Sequence, residues 1–223
     1  NFRNYPDNHE LSAESFYAQL RSGEMATTAQ LNTTTYIEAA IPFLEAGQDV
    51  LFLVFSSGLS GSYNSSRIAV EELRERFPER KIRTVDTLAA SMGEGLLVWH
   101  AAMRRKAGES LDAVANWTEA NRNRLCHWFT VDDLHFLRRG GRVSGAAAVM
   151  GTMLNIKPVL HVDNDGKLTA IGKVRGRKKS LQELVKLMDE KIGSYHDTCH
   201  TIFISHGDCE DEANYVAEKV KEK

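Results

Sequence analysis

Val50-Leu-Phe-Leu-Val-Phe55 is an unbroken apolar run, rich in β-forming residues, with Gly47-Gln-Asp49 before it and a serine and glycine cluster after it. A strand with one wet face alternates apolar and polar positions, so a continuous run predicts a strand covered on both faces and hence a parallel sheet. Helices are predicted on either side. One covers residues 34–45 and ends near Gly47; the other covers 64–77, with Ile68, Leu73 and Phe77 sharing one face. A second strand follows at 81–85, then a long helix at 90–107 closed by Gly108 and an amphipathic, well-charged helix at 111–124. The first half alternates β and α.

Beyond residue 108 the apolar segments crowd together. Residues 128–131, 157–162 and 167–174 read as strands, and Asn164-Asp-Gly166 between the last two is a hairpin signal. Thr201-Ile-Phe-Ile-Ser205 reads as a further buried strand between helices at 180–192 and 210–222. The expectation is an α/β protein of two lobes: residues 1–108 around a parallel sheet and 109–223 around a mixed one. The polar opening, residues 1–9, reads as a loop where an α/β domain usually starts on a strand. The end reads as a helix with no strand behind it, so a first and a last strand are expected to be missing.

Composition narrows the function. Lys and Arg number 28 and Asp and Glu 30, a net charge of -2, so no overall field draws the chain to nucleic acid or anionic lipid. Cys126, Cys199 and Cys209 form an odd set without a C-x-x-C pair, which argues against a disulfide framework and a zinc site and points to a reducing compartment. The longest apolar stretches are too short to span a bilayer and no leader opens the chain. A cytoplasmic protein without metal or cofactor is expected.

The segment richest in chemistry is Ser56-Ser-Gly-Leu-Ser-Gly-Ser62, which leaves the carboxyl end of a buried strand and enters a helix. Ligands of open α/β sheets bind there, and small residues, hydroxyls and a helix start suit an oxyanion. The plainer reading is a capped strand-to-helix turn. A hydrolase elbow needs G-x-S-x-G, whereas Gly58-Leu-Ser-Gly-Ser62 has Ser62 at the second glycine position, and no P-loop sequence occurs. Thr27-Thr-Ala-Gln-Leu-Asn32 is a second hydroxyl and amide cluster, readable also as a helix entry, and Ser205-His-Gly-Asp208 is a third candidate. Leu137-Arg-Arg-Gly-Gly-Arg-Val-Ser144 and Lys173-Val-Arg-Gly-Arg-Lys-Lys179 gather cations around glycine, as exposed turns or as a docking surface for an acidic partner or a phosphate. Aromatic residues do not alternate with these cations, which argues against nucleic acid.

In this order the segments resemble the DegV family of bacterial fatty-acid-binding proteins, which includes the binding subunits of fatty acid kinase. Thr28-Ala-Gln-Leu-Asn32 resembles the family's T-S-Q-P-[SN], and Ser56 to Ser62 resembles S-S-x-L-S-G-[TS]. Val85-Asp-Thr-Leu-Ala-Ala-Ser-Met-Gly93, Phe129-Thr-Val-Asp-Asp-Leu134, the two basic stretches and Leu154-Asn-Ile-Lys-Pro158 extend the likeness over nearly the whole chain.

The resemblance implies a fatty acid in an apolar tunnel between two lobes, its carboxylate held by Thr28, Ser57 and the Gly58 N–H, with Ser60 and His206 nearby. It implies Arg139, Arg142, Arg175 and Arg177 as docking residues for an ATP-dependent kinase subunit that forms an acyl phosphate, this chain being the non-catalytic partner. Ala29 and Leu31 depart from the family pattern, and the family's opening D-S-[TS]-x-D-L strand and late H-T-G-P-G segment are absent. Two other functions fit the same loop: an acyl hydrolase with Ser57 or Ser60 as nucleophile and His206 as base, and a regulator that binds a phosphometabolite.

Overall fold

The computed structural model describes Tyr5, residues 10–132, residues 134–143 and residues 155–223. The opening segment 1–9 apart from Tyr5, and Asp133, Ser144 and Leu154 of the motifs above, lie outside the described residues.

The apolar run becomes β1 (Val50–Val54), paired in parallel with β2 (Ile82–Asp86) in the register Val50 to Ile82 through Val54 to Asp86. Helix α1 (Ala13–Arg21) precedes the sheet in sequence, with Ser12 accepting the Ser15 N–H at its start. Helix α2 (Thr33–Glu45) starts where Asn32 Oδ1 accepts the Thr35 N–H at 2.9 Å, and α3 (Ser62–Arg76) follows β1. Between α2, α3 and the sheet, Tyr36, Ala40, Leu44, Ala69, Leu73 and Ile82 form a core.

The inner face of α3 differs from expectation. It carries Ser62, Ser65, Ser66, Ala69, Val70 and Leu73, while Ile68 is 49% exposed. Ile68 and Leu73 lie five positions apart, about 140° round a helix with 3.6 residues per turn, so they cannot share a stripe. Helices α4 (Ser91–Lys106) and α5 (Leu111–Asn121) pack on one another, and α5 also lies against β1 and β2.

The second sheet has the order β3 (Trp128–Thr130), β4 (Ile156–Val162), β5 (Leu168–Arg175), and both pairings are antiparallel. The hairpin signal holds. Asp163 Oδ1 accepts the Asp165 and Lys167 N–H groups at 3.0 and 2.9 Å, and Gly166 takes φ +72°, the left-handed region that favours glycine. Helix α6 (His135–Arg139) follows β3, and α7 (Arg177–Ile192) covers the sheet with Leu181 and Val185. Helix α7 begins three residues earlier than the apolar pattern predicts, because Arg177, Lys178 and Lys179 form its first turn.

The expected strand at 201–205 is not a strand. Residues 201–206 have no ladder partners among the described residues, and Ile202 and Ile204 are 43% and 37% exposed. An apolar β-branched run satisfies the strand pattern, but a strand exists only beside a neighbour that takes its N–H and C=O groups.

The chain forms two compact units, Gln30–Phe203 and a smaller one of Asn1–Ala29 with Ile204–Lys223. Both sheets belong to the first. The smaller unit contains α1 and α8 (Glu210–Lys221), joined by an ion pair between Arg21 and Asp208.

Candidate functional site

The serine loop opens where β1 ends, and its backbone turns inward. Ser56 is fully buried; its carbonyl accepts the Leu59 and Ser60 N–H groups, each at 3.1 Å, and its Oγ accepts the Gly58 N–H at 3.1 Å. The Ser57 N–H goes to Asp86 Oδ1 at 3.1 Å. Four consecutive N–H groups are therefore engaged within the protein. The side chains are disposed differently. Ser57 is exposed, and among the described residues its hydroxyl meets no partner, while Ser60 Oγ lies 2.9 Å from Ser62 Oγ.

Two other turns hold this loop from the side. At the end of β2, Asp86 Oδ1 also accepts the Leu88 N–H, and Thr87 Oγ1 donates to the Val54 carbonyl at 2.8 Å. Leu88 takes φ 50°, an uncommon conformation for a bulky residue, which the Asp86 and Thr87 bonds on either side sustain. From the second sheet, the β4–β5 turn reaches across: Ser56 Oγ donates to the Gly166 carbonyl at 2.7 Å. A Cβ on Gly58 would stand 2.6 Å from the Asp165 carbonyl oxygen, and one on Gly166 would stand 2.0 Å from Ser56 Oγ. Both glycines are required by close backbone approach.

Three titratable groups, Tyr36 buried and Glu94 and His127 half-buried, are shifted by burial. Burial raises the Tyr36 phenol above its ordinary value, with the Glu94 charge adding to the shift and the nearby Ser62 hydroxyl opposing it. Glu94, near the start of α4, is pushed up to about 7 by burial. His127 is pushed below its ordinary 6.5 by burial, and its buried Nδ1 has no hydrogen-bond partner. Its ring lies against Gly93, where a Cβ would come within 2.3 Å of Nδ1.

The other expected site residues fall elsewhere. Thr28 is exposed in the smaller unit, as is His206, whose Nδ1 accepts the Cys209 N–H at 3.2 Å ahead of α8. That bond fixes the neutral imidazole with its proton on Nε2. Of the basic residues, Arg139 stacks over Phe136 with its guanidinium carbon 4.8 Å from the ring centroid, and Arg142 donates to the Gly140 carbonyl. Arg175 closes β5 on its exposed side, and Arg177 opens α7. Among the described residues no His, Cys, Asp and Glu side chains cluster as a metal site, and no helix is long and apolar enough to cross a membrane.

The profile of one protein family, described as uncharacterised proteins of the DegV family, matches residues 1–223. The chain belongs to the DegV family. A DegV domain-containing protein of Clostridium perfringens, CPE0026, is 47% identical over 221 residues, which are 98% of this chain and 75% of that protein. Among solved structures, a DegV family protein from Thermus thermophilus described for its fatty acid binding is 36% identical, with a TM-score of 0.71 over 83% of this chain and 65% of that one. The fold is also that of the fatty acid kinase (Fak) B3 protein of Streptococcus pneumoniae, solved with linoleic acid, at a TM-score of 0.72, 24% identity, and coverage of 82% and 64%.

What the residue pattern did not disclose in this DegV chain is the frame of the loop. Asp86, Thr87 and Gly166 fix it, and each was visible only as an ordinary strand-end or hairpin residue. The one available signal was glycine itself at a turn, and nothing in the order of residues says that Gly166 lies against Ser56, 110 positions away.

Proposed function

We propose that this DegV protein binds a long-chain fatty acid, its carboxylate taking hydrogen bonds from the Ser57 and Ser60 hydroxyls. The observation that carries this reading is the division of labour in the loop: backbone donors are satisfied internally, while the exposed Ser57 hydroxyl remains to meet a ligand. Gly58 allows the approach that puts those serines on a rigid frame. The tail lies in an apolar tunnel, as the family likeness implies. The Thermus relative, 36% identical and described as binding fatty acid, supports the ligand class.

Magnitudes favour a carrier whose tail sets affinity. Burying an acyl chain releases about 0.8 kcal/mol per methylene, so about 14 methylenes give roughly 11 kcal/mol before ordering costs. A hydroxyl donating to a carboxylate contributes about 1.5 to 3 kcal/mol, much of it offset by desolvation of the anion. Neutral hydroxyls hold a carboxylate and an acyl phosphate alike, which suits presentation to a kinase subunit for acyl phosphate formation. The kinship of fold with the pneumococcal kinase protein supports that role, with Arg139, Arg142, Arg175 and Arg177 as the docking cations.

A non-catalytic role fits the hydroxyl chemistry. Among the described residues no imidazole or carboxylate accepts from Ser57 or Ser60, and His206 already uses Nδ1 as an acceptor, opposite to the arrangement that makes a histidine the base of a serine nucleophile. Native mass spectrometry of the purified protein, before and after mixing with oleic acid, tests the reading. One fatty acid per chain is expected; a protein that stays ligand-free in excess lipid would sink it.

A further inference from the structure

The segment that leads into α2 runs beside the serine loop. Leu31 gives its N–H to Ser62 Oγ at 3.3 Å, and Thr33 Oγ1 donates to the Ser65 carbonyl at 3.4 Å, so residues 31–33 follow the first turn of α3. Gln30, one step upstream, lays its carboxamide on Gly61: a Cβ built on that glycine would overlap Oε1 and stand 2.9 Å from Cδ and 3.1 Å from Nε2. Gly61 has φ -75°, a backbone that any residue adopts, so what requires glycine there is the amide that rests on it. Gln30 is exposed, and among the described residues its amide meets no hydrogen-bond partner.

A carboxylate that lands on this loop calls for more donors than the loop itself has left. The N–H groups of Ser57, Gly58, Leu59, Ser60 and Ser62 are engaged within the protein, and one hydroxyl proton of the Ser60–Ser62 pair is engaged in the 2.9 Å bond between them. What remains is the Ser57 proton and one from that pair. A carboxylate has two oxygens with about four lone-pair directions between them. A carboxamide next to Ser60 and Ser62 brings two further N–H donors, and it brings them without a charge.

We propose that Gln30, seated on Gly61, is a headgroup-binding residue whose carboxamide donates to the second oxygen of the fatty acid carboxylate. The inference rests on the reading of the serine loop as a fatty acid site and adds to it a residue from a different element. Gly61 serves by what it lacks, since a methyl group there would push the amide off its seat. The carboxamide selects by charge. A carboxylate of nearly the same size in its place would face the headgroup with a like charge, whereas a neutral alcohol of the same chain would meet only a better acceptor.

The test measures the affinities of oleic acid and oleyl alcohol at about pH 8, where the acid is ionised, for the wild type, Gln30→Met, Gln30→Glu, Gly61→Ala and the double variant Gln30→Met with Gly61→Ala. Gln30 is exposed, and the atom that a methyl on Gly61 would strike is the end of its flexible side chain, so these variants keep the fold. Gln30→Met should weaken oleic acid about tenfold, the equivalent of one hydrogen bond to a charged group, and oleyl alcohol by less than about threefold. Gln30→Glu should weaken the acid further and spare the alcohol. Gly61→Ala should match Gln30→Met, and the double variant should lose no more than either, because both substitutions remove one and the same contact. Equal losses for acid and alcohol, an unchanged acid affinity in Gln30→Met, or losses that add in the double variant overturn the inference while leaving fatty acid binding intact. A wild type that binds neither lipid overturns the fatty acid reading itself, and this inference with it.

Discussion

Glu94 is a carboxyl that burial holds at about 7, against an ordinary 4.5. Between those values the unfolded chain has released a proton that the folded one keeps, so this group makes stability fall as pH rises through the window and level off above it. Glu94→Gln should therefore raise Tm at about pH 8 and leave it nearly unchanged at about pH 4, as followed by thermal unfolding in the two buffers. Equal Tm gains at both pH values would exclude a buried, titrating carboxyl. His127 titrates in the opposite sense, burial lowering it, but it is common to both proteins and drops out of the comparison. Neither group was legible beforehand. Glu94 reads as an ordinary acidic residue in the first turn of a helix, and His127 as a polar residue before a short strand; only packing against Gly93 and the helix start reveals them as buried.

The strands and helices that carry the serine loop were largely readable because their pattern is local. Six apolar residues in a row make a strand, though Val50 to Leu53 are only half-buried and Val54 alone is buried, and Asn164-Asp-Gly166 makes a turn. Errors arose where an element depends on something distant. The run at 201–205 has strand composition but no ladder partner among the described residues, and α1, though Ser12 caps it, shows no strong apolar stripe because its residues are only half-buried or exposed. The joint between the β4–β5 turn and the serine loop is of the same non-local kind. Gly166→Ala places a methyl group against Ser56 Oγ in a backbone conformation that L side chains rarely adopt, so about 2 to 4 kcal/mol of stability should be lost. Urea unfolding measures this; a loss below about 0.5 kcal/mol would mean the turn does not bear on the loop as described.

For the molecule in its proposed role, binding and presentation should be separable. The serines stand at the carboxyl end of β1, whereas Arg139 and Arg142 are exposed at and just beyond α6, between β3 and β4 in sequence. Replacing both arginines by glutamate should reduce acyl phosphate formation by an ATP-dependent fatty acid kinase subunit at least tenfold and leave the affinity for oleic acid within about twofold, since charge reversal at a rim acts on encounter more than on a buried tail. Parallel loss of lipid binding would show that these arginines serve the fold. The family was legible at this level because seven short motifs recur in order. The docking surface was only suggested, since a cation beside glycine looks the same in an idle turn.

The bond from Ser56 to the Gly166 carbonyl also bears on how the protein comes to be made. During synthesis the serines emerge roughly a hundred residues before the hairpin that pins them, and the first sheet can close while its loop has nothing to lean on. In the proposed role, competence for cargo is then a late event, reached when the hairpin docks, and a nascent chain stalled before that point would carry Ser57 and Ser60 without the frame that aims them.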